Sequence, residues 1–331
     1  MTNNRETAIV ILNWNRSDLT ATFLRSFIDV ENIQNVLIII VDNGSEPGER
    51  AKLFESIRSM GNFLVLDEDS MAVDRELDRN SDILLLLNKN YGYAKGNNFG
   101  LKLALNVGCR YAIVANNDVV LEMPVIEHLL QCMKLSQNVA VIGPRILGTH
   151  DKQQGPYEKL TLYHYFFYPV FFPLSWPIEK IRKMIKRDKN LENKDCGKIR
   201  YPYRVIGSFM LVDLEVLKQV DWFDENTFLY AEELILAEKL QGHGYKMAYT
   251  DSVYVRHIHG SSASNIGRMK IVAIALESEL YYLKNYRNYG GLKLFLAKIG
   301  FLYKNLVLVS IKDKFLRFTE HLRYGRKNTI A

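Results

Sequence analysis

The sequence predicts an α/β protein whose sheet is mainly parallel and covered by helices on both faces. Two observations predict it. The first half alternates short, unbroken aliphatic runs with helical patterns. Several of those runs also end in Asn, Asp and Gly. A strand that is apolar at every position is buried on both faces, and strands separated by helices pair in parallel. Residues 8–12 form the first strand and 19–27 the helix after it. Residues 36–41 form the second strand, followed by a helix over 50–59. Further strands are expected at 83–87, 111–115 and 139–142, with helices at 94–106 and 124–135. Beyond residue 200 the pattern gives a strand at 205–213, a helix at 230–241 and strands at 245–249 and 253–257. A Tyr-, Leu- and Lys-rich helical tail begins near 274.

The composition suits one large domain or a domain with an appendage. The chain has 331 residues, 48% hydrophobic and 24% charged, enough for a sizeable core. Cys109, Cys132 and Cys196 have no metal-ligand spacing and are expected to stay unpaired, which fits a reduced, cytoplasmic setting. The polar first seven residues run straight into a strand, so no secretory signal is expected. The net charge is +6, which suits either nucleic acid or an anionic membrane surface. The charge is local: residues 178–200 hold nine Lys/Arg against four Asp/Glu, and 312–327 hold six against two. A membrane contact is therefore expected, and no nucleic-acid partner.

Composition changes sharply at residues 160–178, where eight of 19 residues are aromatic and Pro169, Pro173 and Pro177 interrupt the run. Those prolines exclude a spanning helix. Aromatic sequence followed by Lys and Arg suits a segment lying in the membrane interface. A core-packing insertion or a partner-binding patch has the same composition. The polar stretch 67–82 is expected to be a surface loop.

In parallel α/β sheets ligands bind beyond the C-terminal strand ends. Four strands end there in polar groups: Asn13 and Asn15 after the first, Asp42 and Asn43 after the second, Asn88 and Asn90, and Asn116-Asn117-Asp118. Turns also favour these residues. A carboxylate at Asp118 suits Mg²⁺ or Mn²⁺, both hard ions, and is equally a helix or turn cap. Glu232 and Glu233 open a helix, where acids suit the dipole; beside a cleft, one of them could instead take a proton from a hydroxyl. His257 and His259 share a face of an extended strand, which allows one of them to bind metal or phosphate. The glycines of 92–100, Gly96 among them, suit either an anion site at a helix start or close helix packing.

Taken in order, these pieces resemble glycosyltransferase family 2, especially its bacterial rhamnosyltransferase-like members. The matching segments are 10–15, 41–45, 88–98, 116–118, 207–210, 228–233 and 257–262, spread over about residues 7–265. The resemblance implies a GT-A type nucleotide-diphospho-sugar transferase fold. It implies a catalytic domain over 1–265, carrying an aromatic and basic insertion at 157–200, and a helical extension over 266–331. Asp42 would meet the nucleotide base. Asn13, Asn15, Asn43, Asn88, Asn90, Gly96, Asn98, Asn116 and Asn117 would line the nucleotide-sugar pocket. Asp118, last in the DXD-type motif, would hold Mg²⁺ or Mn²⁺ with His257. Glu233 stands at the position of the catalytic base of an inverting displacement.

The sequence departs from that pattern in two places. The metal motif reads Asn-Asn-Asp, and the acidic pair reads Glu-Glu, which leaves Glu232 as an alternative base. The Gln/Arg-x-x-Arg-Trp motif of processive synthases is missing, so one sugar per encounter is expected. The donor would be dTDP-rhamnose or a UDP-sugar, and the acceptor a polyprenyl-diphosphate-linked saccharide for capsule, O-antigen or a similar polymer. The enzyme would work peripherally on the inner face of the plasma membrane. A sugar nucleotidyltransferase would need a Gly-rich, basic loop after the first strand, which residues 13–18 do not supply. A non-catalytic scaffold would tolerate Asp118→Ala and Glu233→Ala with no effect beyond stability.

Overall fold

The computed structural model of the chain describes residues 5–69, 81–185, 191–258 and 267–308. In chain order the elements are β1 (Thr7–Asn13), α1 (Ser17–Val30), β2 (Val36–Asp42), α2 (Pro47–Arg58), β3 (Phe63–Asp67) and β4 (Asp82–Leu86). Next come α3 (Tyr93–Asn106), β5 (Tyr111–Asn116), β6 (Val119–Val120), α4 (Ile126–Lys134), β7 (Val139–Leu147) and β8 (Gln153–Gln154). They are followed by α5 (Tyr168–Val170), α6 (Phe172–Ile185), β9 (Leu191–Lys194), β10 (Gly197–Arg200), β11 (Phe209–Asp213) and α7 (Leu214–Gln219). The last are α8 (Glu232–Gly242), β12 (Lys246–His257), α9 (Arg268–Asn285) and α10 (Gly291–Leu302). They form two compact units, one from Met1–Glu158 and Asn190–Ile271, the other from Lys159–Lys189 and Val272–Ala331.

The first unit is built on one sheet of order β3-β4-β2-β1-β5-β11-β7-β12-β10-β9. From β3 to β5 every pairing is parallel. β11 then enters antiparallel between β5 and β7, and β12 lies parallel to β7. The unbroken apolar runs follow from burial on both faces. Ala8, Val10, Ile39, Val41 and Leu85 face a layer holding Leu101 and Ala104 of α3 and Leu236 and Leu240 of α8. Their neighbours Ile9, Ile11, Ile38, Ile40 and Leu84 face Phe23 and Phe27 of α1, Leu53 of α2 and Leu129 of α4. Truncating any of these large side chains to Ala costs about 2–5 kcal/mol.

Several expectations change in detail. The strands expected at 245–249 and 253–257 are one strand, β12, with a register irregularity between Tyr249 and Tyr254. The strand expected at 205–213 begins only at Phe209. The hairpin β9–β10 leaves no mark in the sequence, because LENK and GKIR lack an apolar pattern and lie at a sheet edge. That hairpin belongs to the main sheet, and the first unit resumes at Asn190. The unpaired cysteines are also corrected: Cys132 of α4 and Cys196, in the β9–β10 turn, form a disulfide across 64 positions. Spacing that long carries no sign of pairing. Of the stretch 67–82, residues 70–80 lie outside the described residues, as do His259 and the basic segment 312–327.

The second unit is helical. Residues Tyr163–Phe167 form a wide π-type turn leading into α5, and Tyr165, Tyr282, Leu283 and Ala297 are buried. Arg287 donates to Leu160 O at 3.1 Å and to the Tyr282 hydroxyl at 2.9 Å, tying the aromatic segment to α9. Many large apolar side chains stay outside, including Phe171, Leu174, Trp176, Ile178, Leu292 and Phe295. Among the described residues no helix is long and apolar enough to cross a membrane.

Candidate active site

The ends of β1, β2 and β5 lie side by side, with Asn13 opposite Asp42 and Leu12 opposite Asn116. Asn13 is fully buried, and its amide donates to Asp42 Oδ1 at 2.8 Å. Its Oδ1 accepts from the Thr20 hydroxyl at 2.8 Å, and Asn117 Nδ2 donates to the same hydroxyl at 3.1 Å. Arg50 Nε donates to Asp42 Oδ2 at 2.8 Å, and Arg50 Nη2 to Leu87 O at 2.9 Å. With both oxygens engaged and no exposed surface, Asp42 is a buried anchor here, and the more exposed partner is Arg50.

A second set of amides shapes the loop before α3. Asn43 Nδ2 donates to Asn90 Oδ1 at 3.1 Å and to Gly92 O at 3.0 Å, and Asn43 Oδ1 accepts from Tyr91 N at 3.0 Å. Gly92 has φ 84, and a Cβ there would strike the Phe228 carbonyl, so only glycine fits. A Cβ on Gly96 would meet Leu12 Cδ1 at 2.7 Å and Asn43 Nδ2 at 3.0 Å. Gly96 thus serves close packing of α3 on β1. Asn98 is turned away from the strand ends: it donates to Phe223 O at 2.9 Å and Glu225 Oε1 at 3.0 Å, and accepts from Phe223 N at 3.1 Å. It forms a buried tie between α3 and residues 223–225. Asn15, with φ 51, accepts from Glu46 N at 2.7 Å, while Asn88 is exposed and Asn116 half-buried.

Asp118 and His257 meet. The two-residue strand β6 pairs with the end of β12, setting His257 opposite Val119. His257 Nε2 lies 3.1 Å from Asp118 Oδ1, and Ile258 N donates to Asp118 O at 2.8 Å. On the other side of the ring, Gln154 Oε1 lies 3.0 Å from His257 Nδ1. Each ring nitrogen of His257 thus faces an oxygen, and in the tautomer with its hydrogen on Nδ1 the Nε2 lone pair would point to the carboxylate. A divalent cation suits that juxtaposition, because it can accept from both the imidazole nitrogen and the carboxylate oxygen. The N–H held by an outer carbonyl is the usual support of a ligating histidine. The two residues therefore fit Mg²⁺ or Mn²⁺, with the remaining positions left to water and to ligand oxygens. Among the described residues no group of three or more His, Cys, Asp or Glu is arranged to hold a metal unaided.

The acidic pair opens α8 after two consecutive residues in the left-handed region, Tyr230 (φ 73) and Ala231 (φ 68). Such backbone costs ~1–3 kcal/mol per residue and gathers at functional sites. Glu232 turns inward and is 5% exposed; its Oε2 has no hydrogen-bond partner among the described residues. Burial, and then the charge of Glu233, push its carboxyl well above the usual carboxylate range, against the opposing pull of Arg204. Glu233 is half-buried: its Oε1 accepts from Gly207 N at 2.9 Å, and its Oε2 lies 4.0 Å from Arg204 Nη1. The Tyr93 hydroxyl donates to Gly207 O at 2.7 Å. Burial first, then the charges of Glu233, Glu232 and Asp118, push this phenol well up.

Sequence reasoning missed Thr20, Arg50, Gln154 and Arg204. Thr20 and Arg50 read as ordinary helix residues, and Gln154 sits in a two-residue strand with no pattern of its own.

This sheet order, with metal-suited side chains at one end and an acid-led helix beside them, is that of the GT-A fold. No family model matches the chain. In sequence the chain is similar to the low-salt glycan biosynthesis hexosyltransferase Agl10 of Haloferax volcanii, 26% identical over 206 residues, or 61% of this chain and 60% of that protein. The chain thus matches less than two thirds of that relative's length. In structure it is similar to the mannosyltransferase PcManGT from Pyrobaculum calidifontis in complex with GDP-Man and Mn²⁺. The TM-score is 0.52 at 10% identity, over 91% of this chain and 70% of that one. It is also similar to GalNAc-T7 with UDP, GalNAc and Mn²⁺, with TM-score 0.55 at 13% identity, over 95% of this chain and 58% of that one. At such identity the likeness establishes the fold, a mixed α/β GT-A architecture.

Proposed function

We propose that the protein is a metal-assisted, inverting and non-processive glycosyltransferase. It moves one sugar from a nucleoside-diphosphate sugar, dTDP-rhamnose or a UDP-sugar, to a lipid-linked saccharide. The observation that carries the reading is the meeting of Asp118 and His257 at the strand ends of a GT-A fold. The similar hexosyltransferase and the Mn²⁺ complexes of the structural neighbours support it.

Asp118 and His257 would hold Mg²⁺ or Mn²⁺, which supplies positive charge to the diphosphate as it leaves. Asn43 and Asn90 fix the loop that would border the nucleotide, and Asn13 and Asn117 set the strand ends from which it is built. Glu233 takes the proton of the acceptor hydroxyl. That oxygen bonds the anomeric carbon while the bond to the β-phosphate oxygen breaks, so the nucleoside diphosphate departs with the electron pair and the centre inverts. Glu232 turns inward, and its burial disfavours the charged form that a base needs, whereas Glu233 is the less buried of the pair. The exposed aromatic and aliphatic side chains of the second unit support a peripheral membrane contact, which suits a polyprenyl-diphosphate-linked acceptor.

Incubation with a panel of nucleoside-diphosphate sugars and Mn²⁺ tests the reading by nucleoside diphosphate release. Release from one donor, lost in Asp118→Ala, is the expected result. Release of pyrophosphate from a nucleoside triphosphate would instead make the protein a nucleotidyltransferase.

A further inference from the structure

The segment that supports His257 continues directly to the acid pair. After Gln154 the chain turns at Gly155 and runs antiparallel to residue 204: Tyr157 N donates to Arg204 O at 3.0 Å, and Arg204 N to Tyr157 O at 3.1 Å. The two side chains stack on this backbone pair. The Arg204 guanidinium carbon lies 4.3 Å from the centroid of the Tyr157 ring, covering one face of it. The tyrosine is nonetheless 42% exposed. The same guanidinium stands 4.0 Å from Glu233 Oε2, beyond hydrogen-bond distance, and its N–H groups bond no other described residue.

An aromatic face is thus presented beside a carboxylate and a set of unspent N–H donors. That combination matches a sugar ring. The C–H bonds of a pyranose pack on an aromatic face, and its hydroxyls need both an acceptor and donors. A flat aliphatic ligand would leave Arg204 without acceptors, and a small anion would leave the tyrosine unused. We propose that Tyr157 and Arg204 form the subsite for the pyranose ring of the acceptor, which lies on Tyr157 with its reacting hydroxyl turned to Glu233. This assignment rests on the glycosyltransferase reading and on Glu233 as base. Arg204 is a positioning residue, holding the ring of Tyr157 from behind and orienting the sugar toward the carboxylate. Only three positions separate Gln154 from Tyr157, so one short segment supports both the metal pair and the acceptor ring.

Saturation-transfer NMR with a panel of methyl glycosides of common hexoses, 6-deoxyhexoses and N-acetylhexosamines tests the subsite. It is run with Mg²⁺ and a saturating nucleoside diphosphate, whose thermal shift is read on every variant. At least one glycoside is expected to receive saturation on the C–H protons of one ring face. Tyr157→Ala should reduce that signal at least tenfold, Tyr157→Phe should keep it, and Arg204→Gln should weaken it, all with the nucleotide shift intact. A signal within twofold of wild type in Tyr157→Ala overturns the subsite. So does a nucleotide-binding wild type that gives no signal with any glycoside. A Tyr157→Phe protein that loses the signal as fully as Tyr157→Ala overturns ring stacking as its basis. A wild type that binds no nucleoside diphosphate overturns the glycosyltransferase reading, and the subsite with it.

Discussion

Two polar regions of the first unit differ in how completely their groups are satisfied. At the ends of β1 and β2, the side chains of Asn13, Thr20, Asp42, Asn43 and Asn117 are buried and hydrogen-bonded to one another and to neighbours. Where α8 begins, Glu232 buries an oxygen with no partner among the described residues, and Arg204 hovers 4.0 Å from Glu233. Two residues there also hold left-handed backbone. A satisfied network fixes a shape; unsatisfied groups and strained backbone are tolerated where a ligand or a reaction uses them. In the proposed reading the first region is scaffold for a nucleotide site, and the second is where chemistry is poised.

The sharpest way to break this contrast is Glu233→Gln. Loss of the base should cut the rate of sugar transfer by about 10²–10⁴-fold with nucleotide binding retained. A turnover assay beside nucleotide titration reads both, and equal loss of both would move Glu233 into the scaffold. Next in size is Gln154→Ala, which frees the far side of His257. Affinity for Mn²⁺ in the presence of nucleoside diphosphate should fall by about 10–100-fold, measured by calorimetry.

On the scaffold side, Thr20→Val removes the hydroxyl that donates to Asn13 Oδ1 and accepts from Asn117 Nδ2. It should cost about 1–3 kcal/mol in denaturant unfolding, with little change in kcat. The smallest effect is a slope. The folded pKa of Glu232 is raised, so between the ordinary value near 4.5 and that higher value the native state binds more protons than the unfolded one. Stability attributable to this group therefore falls as pH rises above about 4.5. Glu232→Gln should remove that slope, and matching pH dependence of Tm in variant and wild type would refute the assignment.

The strands were legible because burial on both faces leaves an unbroken aliphatic run, as in Ile9–Val10–Ile11 and Ile38–Ile39–Ile40. The hairpin β9–β10 and the two-residue strands β6 and β8 were not, since pairing at a sheet edge asks little of side-chain pattern. Within the site, Asp118, His257 and Glu233 were readable as polar groups at element ends, and their juxtaposition was not. His257 reaches Asp118, 139 positions away, through the pairing of β6 with β12. Asn98 and Asp42 show the converse limit. Asn and Asp at a strand end or helix start read alike whatever they bond; here Asn98 bonds residues 223–225, far along the chain, and Asp42 bonds Arg50 of α2. The pairing of Cys132 with Cys196 was hidden for the same reason.

The most direct test of the central claim is thermal shift with a panel of nucleoside diphosphates, with and without Mn²⁺, on wild type and Asp118→Ala. A ligand that binds only the folded protein raises its apparent stability. A nucleotide should raise the wild-type Tm in a Mn²⁺-dependent way, and the increment should vanish in Asp118→Ala. An equal shift in both proteins, or none with any nucleotide and metal, would contradict a metal-assisted glycosyltransferase site at Asp118 and His257.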